Sequence, residues 1–448
     1  MSNLLSEISN FVWGMPLLIF LGVANIILLY HSKLLPLKGM FHAVELIKGK
    51  FDKNNTQDKG QLTHFQALCN ALAATIGLGN ISGVAIAIYQ GGPGAIFWMW
   101  FAAILGMNTK FFECTLAVLY RGEDYRGEVQ GGPMYFIEKG MGERFKFLAI
   151  IFAVFGVVGT LSLFQINQLS HFVSYNYDIP NYITGIFFTI SITYILVGGL
   201  KRITSFTSKI VPLMSGLYVI LCLVIIFLNI EKVPLIFANI FSQALTGKAI
   251  GGGVLGYGIM HILKTGIKRA AFSNEAGIGT APMAHGNAKT SEPVSEGYVA
   301  MLGPFIDTII VCTLTAVTIL ISFKSDVKDL NGINLTTYAF VNVLGNPGKH
   351  MLGIIILLFS FSTMIGMANY CEKCWNYLFK GKKYLNRNSF IIYYAGSLAV
   401  GAVIKMSDVV NLIDIAYAMM AVPNIIGTVY LAGKVKIKLR EYNKKYNL

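Results

Sequence analysis

The sequence predicts an all-α membrane protein of 11 transmembrane helices: a five-plus-five inverted repeat, preceded by one extra helix, with the first helix of each half broken. Three observations predict it. Of 448 residues, 54% are hydrophobic and 13% charged, about half the ~25% charge of a soluble domain. Apolar stretches of about twenty residues recur from end to end, each what a bilayer core of ~30 Å demands. Two of these stretches carry glycine and polar runs at corresponding places in the two halves.

The spans fall at about 12–32, 64–90, 94–120, 146–174, 181–199, 203–229, 251–283, 296–322, 350–379, 389–405 and 408–433. The first is long for a signal peptide, lacks a preceding Lys or Arg and has no small-residue cleavage site after it, so it reads as a retained helix. Orientation follows from the basic residues. Segments 33–63, 121–146, 200–209, 284–295, 380–388 and 434–448 hold 25 of the 36 Lys and Arg, the opposite segments hold six, and the rest lie within spans. By the positive-inside rule the amino terminus is outside and the carboxyl terminus cytoplasmic. The net charge of +14 is thereby explained by topology, and no nucleic-acid partner is expected. Two outer segments, Lys232–Lys248 and Asn331–Gly345, are mildly amphipathic and read either as short helices over the outer mouth or as ordered loops. The chain thus divides into an N-terminal helix with a basic loop (1–63), a first repeat (64–229), a second repeat with the outer segments (230–433) and a basic tail (434–448).

Spans two and seven open the two halves. Paired interruptions at such places are the best sequence pointer to a transporter's substrate site. Span two reads Ala73-Ala74-Thr75-Ile76-Gly77-Leu78-Gly79-Asn80-Ile81-Ser82-Gly83. Each glycine weakens the helix by about 1 kcal/mol relative to alanine. Unwinding near Gly77–Gly79 points free N–H groups and the start of a half-helix at one place, a ready carboxylate site. Carbonyls freed on the other side, from Ala73 and Ile76, suit a bare cation. Close packing through small residues is the plainer reading, but packing does not require Asn80 beside the glycines. Span seven reads Phe272-Ser273-Asn274-Glu275-Ala276-Gly277 after Lys268-Arg269. Its polar run must face a cavity or a partner, and a break at Ser273–Gly277 offers carbonyls, hydroxyls and Glu275 to a cation or an ammonium group; a salt link from Glu275 to a nearby base is the plainer alternative.

Glu113 and Asp307 are intramembrane acids suited either to ion binding and proton relay or to a buried structural pairing. Gln165 and Asn167 in span four carry amides that suit either an amino acid's polar ends or a helix-to-helix hydrogen bond. Ser362 and Thr363 in span nine are adjacent hydroxyls able to complete a sodium cage opposite an unwound span two, or to bond their own backbone. Gly91–Pro93 and Gly131–Pro133 are turns. All six cysteines lie in or beside apolar segments, which argues against a disulfide framework. No metal-ligand cluster and no nucleophile–base motif is present, so the chain does not read as an enzyme.

Taken together, Asn70–Gly77 with Gly79-Asn80-Ile81, Gly91–Trp100, Gly131–Tyr135, Phe272–Gly277 and Phe305–Thr308 resemble the alanine/glycine:cation symporters, also called sodium:alanine symporters, over about Asn70 to Gly381. The resemblance implies a fold similar to the bacterial leucine transporter, and sodium-coupled import of a small neutral amino acid, alanine or glycine, across the cell membrane by alternating access. It implies a substrate carboxylate at the Leu78 and Gly79 backbone with Gln165 nearby, and an amine among carbonyls around Thr75, Phe272 and Ser273. Gly277 and Met367 complete the substrate set. Sodium (Na+), the coupling ion, falls between the Ala73 and Ile76 carbonyls and the Ser362 and Thr363 hydroxyls, with Asn80 at a second cation site. The partners are then the amino acid, sodium and the lipid bilayer, and a monomer is expected. The family usually has threonine at Leu78, tryptophan at Met367 and glycine at Cys371, all where side chains would line the pocket. A methionine there frees volume and adds a flexible wall, which opens the alternative of a larger neutral amino acid such as glutamine. Proton coupling through Glu275 or Asp307 is the alternative to sodium.

Overall fold

The computed structural model describes residues 2–51, 60–124, 127–247, 258–323, 330–380, 382 and 384–446. Helices dominate it. Those used below are α1 (Ser2–Val12), α2 (Met15–Ser32), α3 (Met40–Ile47), α4 (His64–Thr75), α5 (Gly79–Gly91), α6 (Gly94–Leu119), α7 (Lys146–Gly159), α8 (Leu163–Tyr177), α9 (Asn181–Val197), α10 (Gly199–Phe227), α11 (Val233–Thr246), α12 (Ile259–Asn274), α13 (Ala281–His285), α14 (Pro293–Ser322), α15 (Ile333–Leu378), α16 (Arg387–Gly401), α17 (Met406–Tyr430) and α18 (Ala432–Tyr446). The all-helical expectation needs one amendment: Gly122–Glu123 pairs antiparallel with Val129–Gln130 in a small ladder.

Among the described residues, seven helices are long and apolar enough to cross a membrane, or eight when the bent pair α4 and α5 counts as one span. The expected spans at 181–199 and 389–405 are helices of only 17 and 15 residues. The expected span at 251–283 is interrupted, and its first part, 251–257, lies outside the described residues, as does Lys248 of the first outer segment. The expected first span, 12–32, corresponds to α2, and a further helix, α1, precedes it. Gly14, followed by Pro16, separates α1 from α2, and the Trp13 indole is buried and donates to the Asp414 carbonyl at 2.9 Å. The two outer segments are helical: α11 is one, and the first part of α15 is the other, set off by Gly345 at φ 66° ahead of Pro347.

Packing sorts the helices. Ile19, Ile26, Ile186, Ile190, Ile220 and Phe227 on α2, α9 and α10 stand outward and exposed, which a membrane protein can bear because lipid tails solvate them. The α4–α5 pair is almost wholly buried, enclosed by α6, α10, α12, α13, α14 and α15. The chain's breaks therefore sit at the centre of the bundle. That is where irregular backbone is tolerated in a membrane, because it is enclosed by protein.

Candidate functional site

The first break follows from its glycines. The last ladder bond of α4 runs from Ile76 N–H to Leu72 O, and Ile76 then turns extended (φ −75°, ψ 92°). A continued helix would give Gly77 N–H to Ala73 O; instead it donates to Asn80 Oδ1 at 3.0 Å, while Leu78 N–H donates to Gln165 Oε1 at 3.2 Å. The chain restarts at Gly79 with a π turn, and α5 leaves at 54° to α4. A Cβ at Gly77 would lie 2.2 Å from Thr363 Oγ1, so glycine alone lets α15 come this close. Thr363 Oγ1 is buried without a hydrogen-bond partner among the described residues.

The second break lies later than the sequence indicated. Ser273 and Asn274 finish the last turn of α12, and the chain opens only at Glu275–Thr280. Glu275 caps the helix in the left-handed region (φ 56°), followed by Gly277 (φ 82°) and Gly279 (φ 92°). Such a conformation costs a non-glycine residue of order 1–3 kcal/mol and persists only where the surroundings hold it. They do: Glu275 accepts from Thr280 Oγ1 at 2.5 Å and from Tyr417 Oη at 3.1 Å, and Asn424 Nδ2 donates to Gly277 O at 2.8 Å and to Glu113 Oε1 at 2.5 Å. Hydroxyls, rather than the nearby base considered from the sequence, hold Glu275.

Asp307 ties the two breaks together. It sits on a π turn of α14, Phe305–Cys312, a helix defect that recurs at functional sites. Its carboxylate accepts from Asn80 Nδ2 (2.6 Å), Ser273 Oγ (2.8 Å) and Thr308 Oγ1 (2.7 Å). Lys110, buried in α6, acts electrostatically on Glu113, Glu275 and Asp307.

Between the breaks lies a small void of ≈ 10 Å³, lined among others by Thr75, Gly79, Gln165, Phe272, Glu275, Met367 and Tyr417. That is room for about one water, so a larger occupant requires the walls to part. Its third side is a break the sequence did not reveal. The expected span at 146–174 stops at Gly159 and restarts at Leu163, and Leu161 and Ser162 between them line the void. Ser162 Oγ hydrogen-bonds Tyr394 Oη at 2.7 Å, which anchors that turn.

Five of the eight expected substrate residues bear on this void directly: Thr75, Gly79, Gln165, Phe272 and Met367. The other three are placed differently in the structure. Leu78 offers its N–H, but its side chain packs in the core; Ser273 turns to Asp307; Gly277 is spent on Asn424. Cys371, also expected to line the pocket, donates to Val157 O at 3.4 Å instead. The paired Ser362 and Thr363 hydroxyls diverge, because successive helix residues point ~100° apart: Ser362 Oγ donates to Phe359 O and faces Met214 Sδ at 3.2 Å. Ala73 and Ile76 are buried beside the break, and Asn80 is the strut across it. The amides of span four also divide, since Asn167 binds the Gly401 and Ile404 carbonyls and only Gln165 faces the void.

On one side the void is roofed. Phe272 meets Phe164 edge to face (4.9 Å) and Tyr417 at 6.0 Å. The Arg269 guanidinium lies 5.1 Å from the Phe272 ring and pairs with both oxygens of Asp414 at 2.8 and 2.7 Å, and Lys268 joins at 2.7 Å. The sequence signal was available, because charges inside a span must be paired, but their pairing was not readable. On the other side, about 13 Å along α4 at 1.5 Å per residue, a polar cavity of ≈ 700 Å³ opens around Gln66, Asn287, Asn369 and Lys373, crossed by the Arg387–Glu372 ion pair (3.0 Å).

The profile of the sodium:alanine symporter family matches residues 1–447. The chain is 38% identical to the sodium/alanine symporter AgcS of Methanococcus maripaludis, over 99% of this chain and 97% of that one. It is 40% identical to an uncharacterized transporter of Haemophilus influenzae (100% and 97% covered) and 34% identical to the probable sodium/glutamine symporter GlnT of Bacillus subtilis (98% and 90%). In fold it is similar to MhsT in complex with L-phenylalanine (TM-score 0.57, 14% identity, 83% and 89% covered) and to a manganese transporter of Eremococcus coleocola (TM-score 0.58, 10% identity, 85% and 83% covered). Both are transporters of the leucine-transporter fold. Family and relatives are transporters, not enzymes, and with its apolar helices the chain is a multi-pass membrane protein. The chain belongs to the sodium:alanine symporter family.

Proposed function

We propose that this protein imports a small neutral amino acid together with sodium by alternating access. The observation that carries the reading is the meeting of two broken helices at one buried void. The start of α5 presents the positive end of a helix dipole, and the finish of α12 presents the negative end. A zwitterion fits between them: its carboxylate takes the Leu78 and Gly79 N–H groups while Gln165, which holds Leu78 N–H at 3.2 Å, yields that bond and donates from its own amide. Its ammonium group lies toward the carbonyls of Thr75 and Phe272 and toward Glu275, which also lines the void. Sodium takes the place between the Ala73 and Ile76 carbonyls and Thr363 Oγ1, whose lack of a hydrogen-bond partner among the described residues supports the assignment. Ser362 contributes there only by abandoning its Phe359 bond. Asn80, bonded on both sides, couples this site to Asp307.

In this reading the helices form two inverted five-helix halves, 64–229 and 230–433, in the cell membrane of a monomer. The amino terminus is outside, Arg269–Asp414 and the Phe272 cluster close the outer path, and the polar cavity around Lys373 is the inner vestibule. Met367 on the void wall favours a second reading for substrate: a neutral amino acid larger than alanine, such as glutamine. Uptake of radiolabelled alanine, glycine and glutamine into proteoliposomes under a sodium gradient, a proton gradient or neither decides the matter. Sodium-driven accumulation is expected; uptake indifferent to both gradients overturns coupled transport, and uptake driven by protons alone overturns the sodium assignment.

A further inference from the structure

A second cavity, remote from the transport site, is built from charge. It has a volume of ≈ 480 Å³ and lies at the foot of α2, walled by the turn 33–39, His42 of α3, Tyr298 of α14 and the tail helix α18. Lys33, Lys38, Lys436 and Arg440 line it, with His31 and His42, and among the described residues no lining residue is acidic. Two local features bring these cations together. Lys33 and Leu34 both adopt left-handed backbone (φ 52° and 61°), an unfavourable conformation for side-chain-bearing residues that reverses the chain and turns Lys33 and Lys38 to one hollow. Lys436 and Arg440 stand four residues apart, hence on one face of α18. Like charges gathered this closely repel unless an anion lies among them.

The wall also holds an incompletely satisfied polar group. His42 is 5% exposed; its Nε2 hydrogen-bonds Tyr442 Oη at 2.8 Å, but its Nδ1 is buried without a partner among the described residues, as is His31 Nδ1. The outward rim is apolar: Leu34 and Phe41 are exposed beside the cavity. A track leads to it along α2, where Ile19, Val23, Ile26 and Tyr30, spaced as one helical stripe, all stand outward. Lys436 Nζ lies 5.3 Å from the Tyr30 ring, at the point where track meets cavity.

Phosphate chemistry fits such a hollow, and the apolar track selects its source. A free phosphate has no use for the stripe, whereas a lipid uses both. We propose that this cavity takes the phosphate headgroup of an anionic phospholipid whose acyl chains lie along Ile19, Val23, Ile26 and Tyr30. Basic pockets at the foot of membrane helices bind such headgroups by this means. The inference needs no assumption about the transported substrate.

Native mass spectrometry of the intact protein in detergent tests it, with dioleoyl phosphatidylglycerol, dioleoyl phosphatidylcholine and inorganic phosphate as probes. The wild type is expected to take up phosphatidylglycerol about tenfold more tightly than phosphatidylcholine, and inorganic phosphate is expected not to displace it. Lys33→Gln with Arg440→Gln, and independently Lys38→Gln with Lys436→Gln, erase that preference. Lys434→Gln with Lys438→Gln, the same charge loss elsewhere on α18, retains it. Equal loss in all three double variants, equal binding of the two lipids, or displacement by millimolar phosphate overturns the proposal.

Discussion

The two helix breaks do the same job by different means. At Gly77–Gly79 no residue has positive φ; the glycines are there for room, since a Cβ at Gly77 would strike the Thr363 hydroxyl at 2.2 Å. Neutral amides, Asn80 and Gln165, hold the loosened N–H groups. At Glu275–Thr280 three residues have positive φ, and a carboxylate, two hydroxyls and Asn424 hold the turn. The first break is a close contact between helices, whereas the second is an imposed backbone conformation. The first leaves N–H donors and the second leaves carbonyls and an acid. Their polarity is thus opposite, as a zwitterion's is.

The difference ranks the consequences of adding a methyl group. The largest loss is expected at Gly279, where φ is 92° and a Cβ would meet Phe152, Pro133 and Asn424 at 2.7–2.9 Å. Strain and overpacking together make Gly279→Ala cost about 3 kcal/mol or more, and its melting midpoint in detergent should fall by ~5 °C or more. Gly277→Ala meets nothing closer than 3.5 Å and should lose less, about 1–2 kcal/mol from backbone alone. Gly77→Ala should lose less than Gly279→Ala, because its backbone torsions suit alanine and rotation about Thr363 χ1 can move the clashing oxygen, yet it should melt below wild type, since the Thr363 Cβ at 3.2 Å must also give way. If Gly77→Ala melts lower than Gly279→Ala, the contrast between room and conformation is wrong.

Transport should invert that order. If sodium binds as proposed, between the Ala73 and Ile76 carbonyls and Thr363 Oγ1, Gly77→Ala displaces that oxygen and the sodium concentration for half-maximal uptake should rise about tenfold, the equivalent of ~1.4 kcal/mol. Thr363→Ala should match it, and Thr363→Ser should stay within about twofold because it keeps the oxygen. Unaltered sodium activation in Thr363→Ala removes this hydroxyl from the cation site.

What could be read from the sequence tracks these physical differences. The first break was legible residue by residue, because three glycines and Asn80 within seven positions are anomalous in an apolar span. The second was legible as a region but misplaced, since polar residues mark a face and not a backbone torsion; Ser273 and Asn274 stay helical and spend their side chains on Asp307 and Thr308. The turn at Thr160–Ser162 left little trace. Its residues are small and hydrogen-bond locally, with Thr160 Oγ1 donating to Gly156 O, and its anchor Tyr394 lies 232 positions away. Charge pairs share that fault: Arg269 announced a partner, but only the packing of α12 on α17 makes it Asp414. The helix count is less sharply marked in the structure than in the sequence, because apolar runs of ordinary length, as at Asn181–Val197, form helices of 17 residues, at the short end of what a bilayer accepts.

The smallest effect concerns selectivity and separates wall from core. Of the three positions where the resemblance leads one to expect a different residue, Met367 alone lines the void; Leu78 and Cys371 are packed elsewhere. Met367→Trp replaces a flexible thioether by a large rigid ring. It should exclude the longer side chain more than the shorter, raising the ratio of alanine to glutamine uptake about tenfold, within the range that pocket volume confers. Leu78→Thr contributes only its backbone to the void in either form, so that ratio should move by less than about twofold, whatever the substitution costs in stability. Competition assays in proteoliposomes read both ratios directly. A larger shift from Leu78→Thr than from Met367→Trp would mean that the side chain at 78 reaches the substrate in another state of the transport cycle, and that the wall described here is not the one that selects.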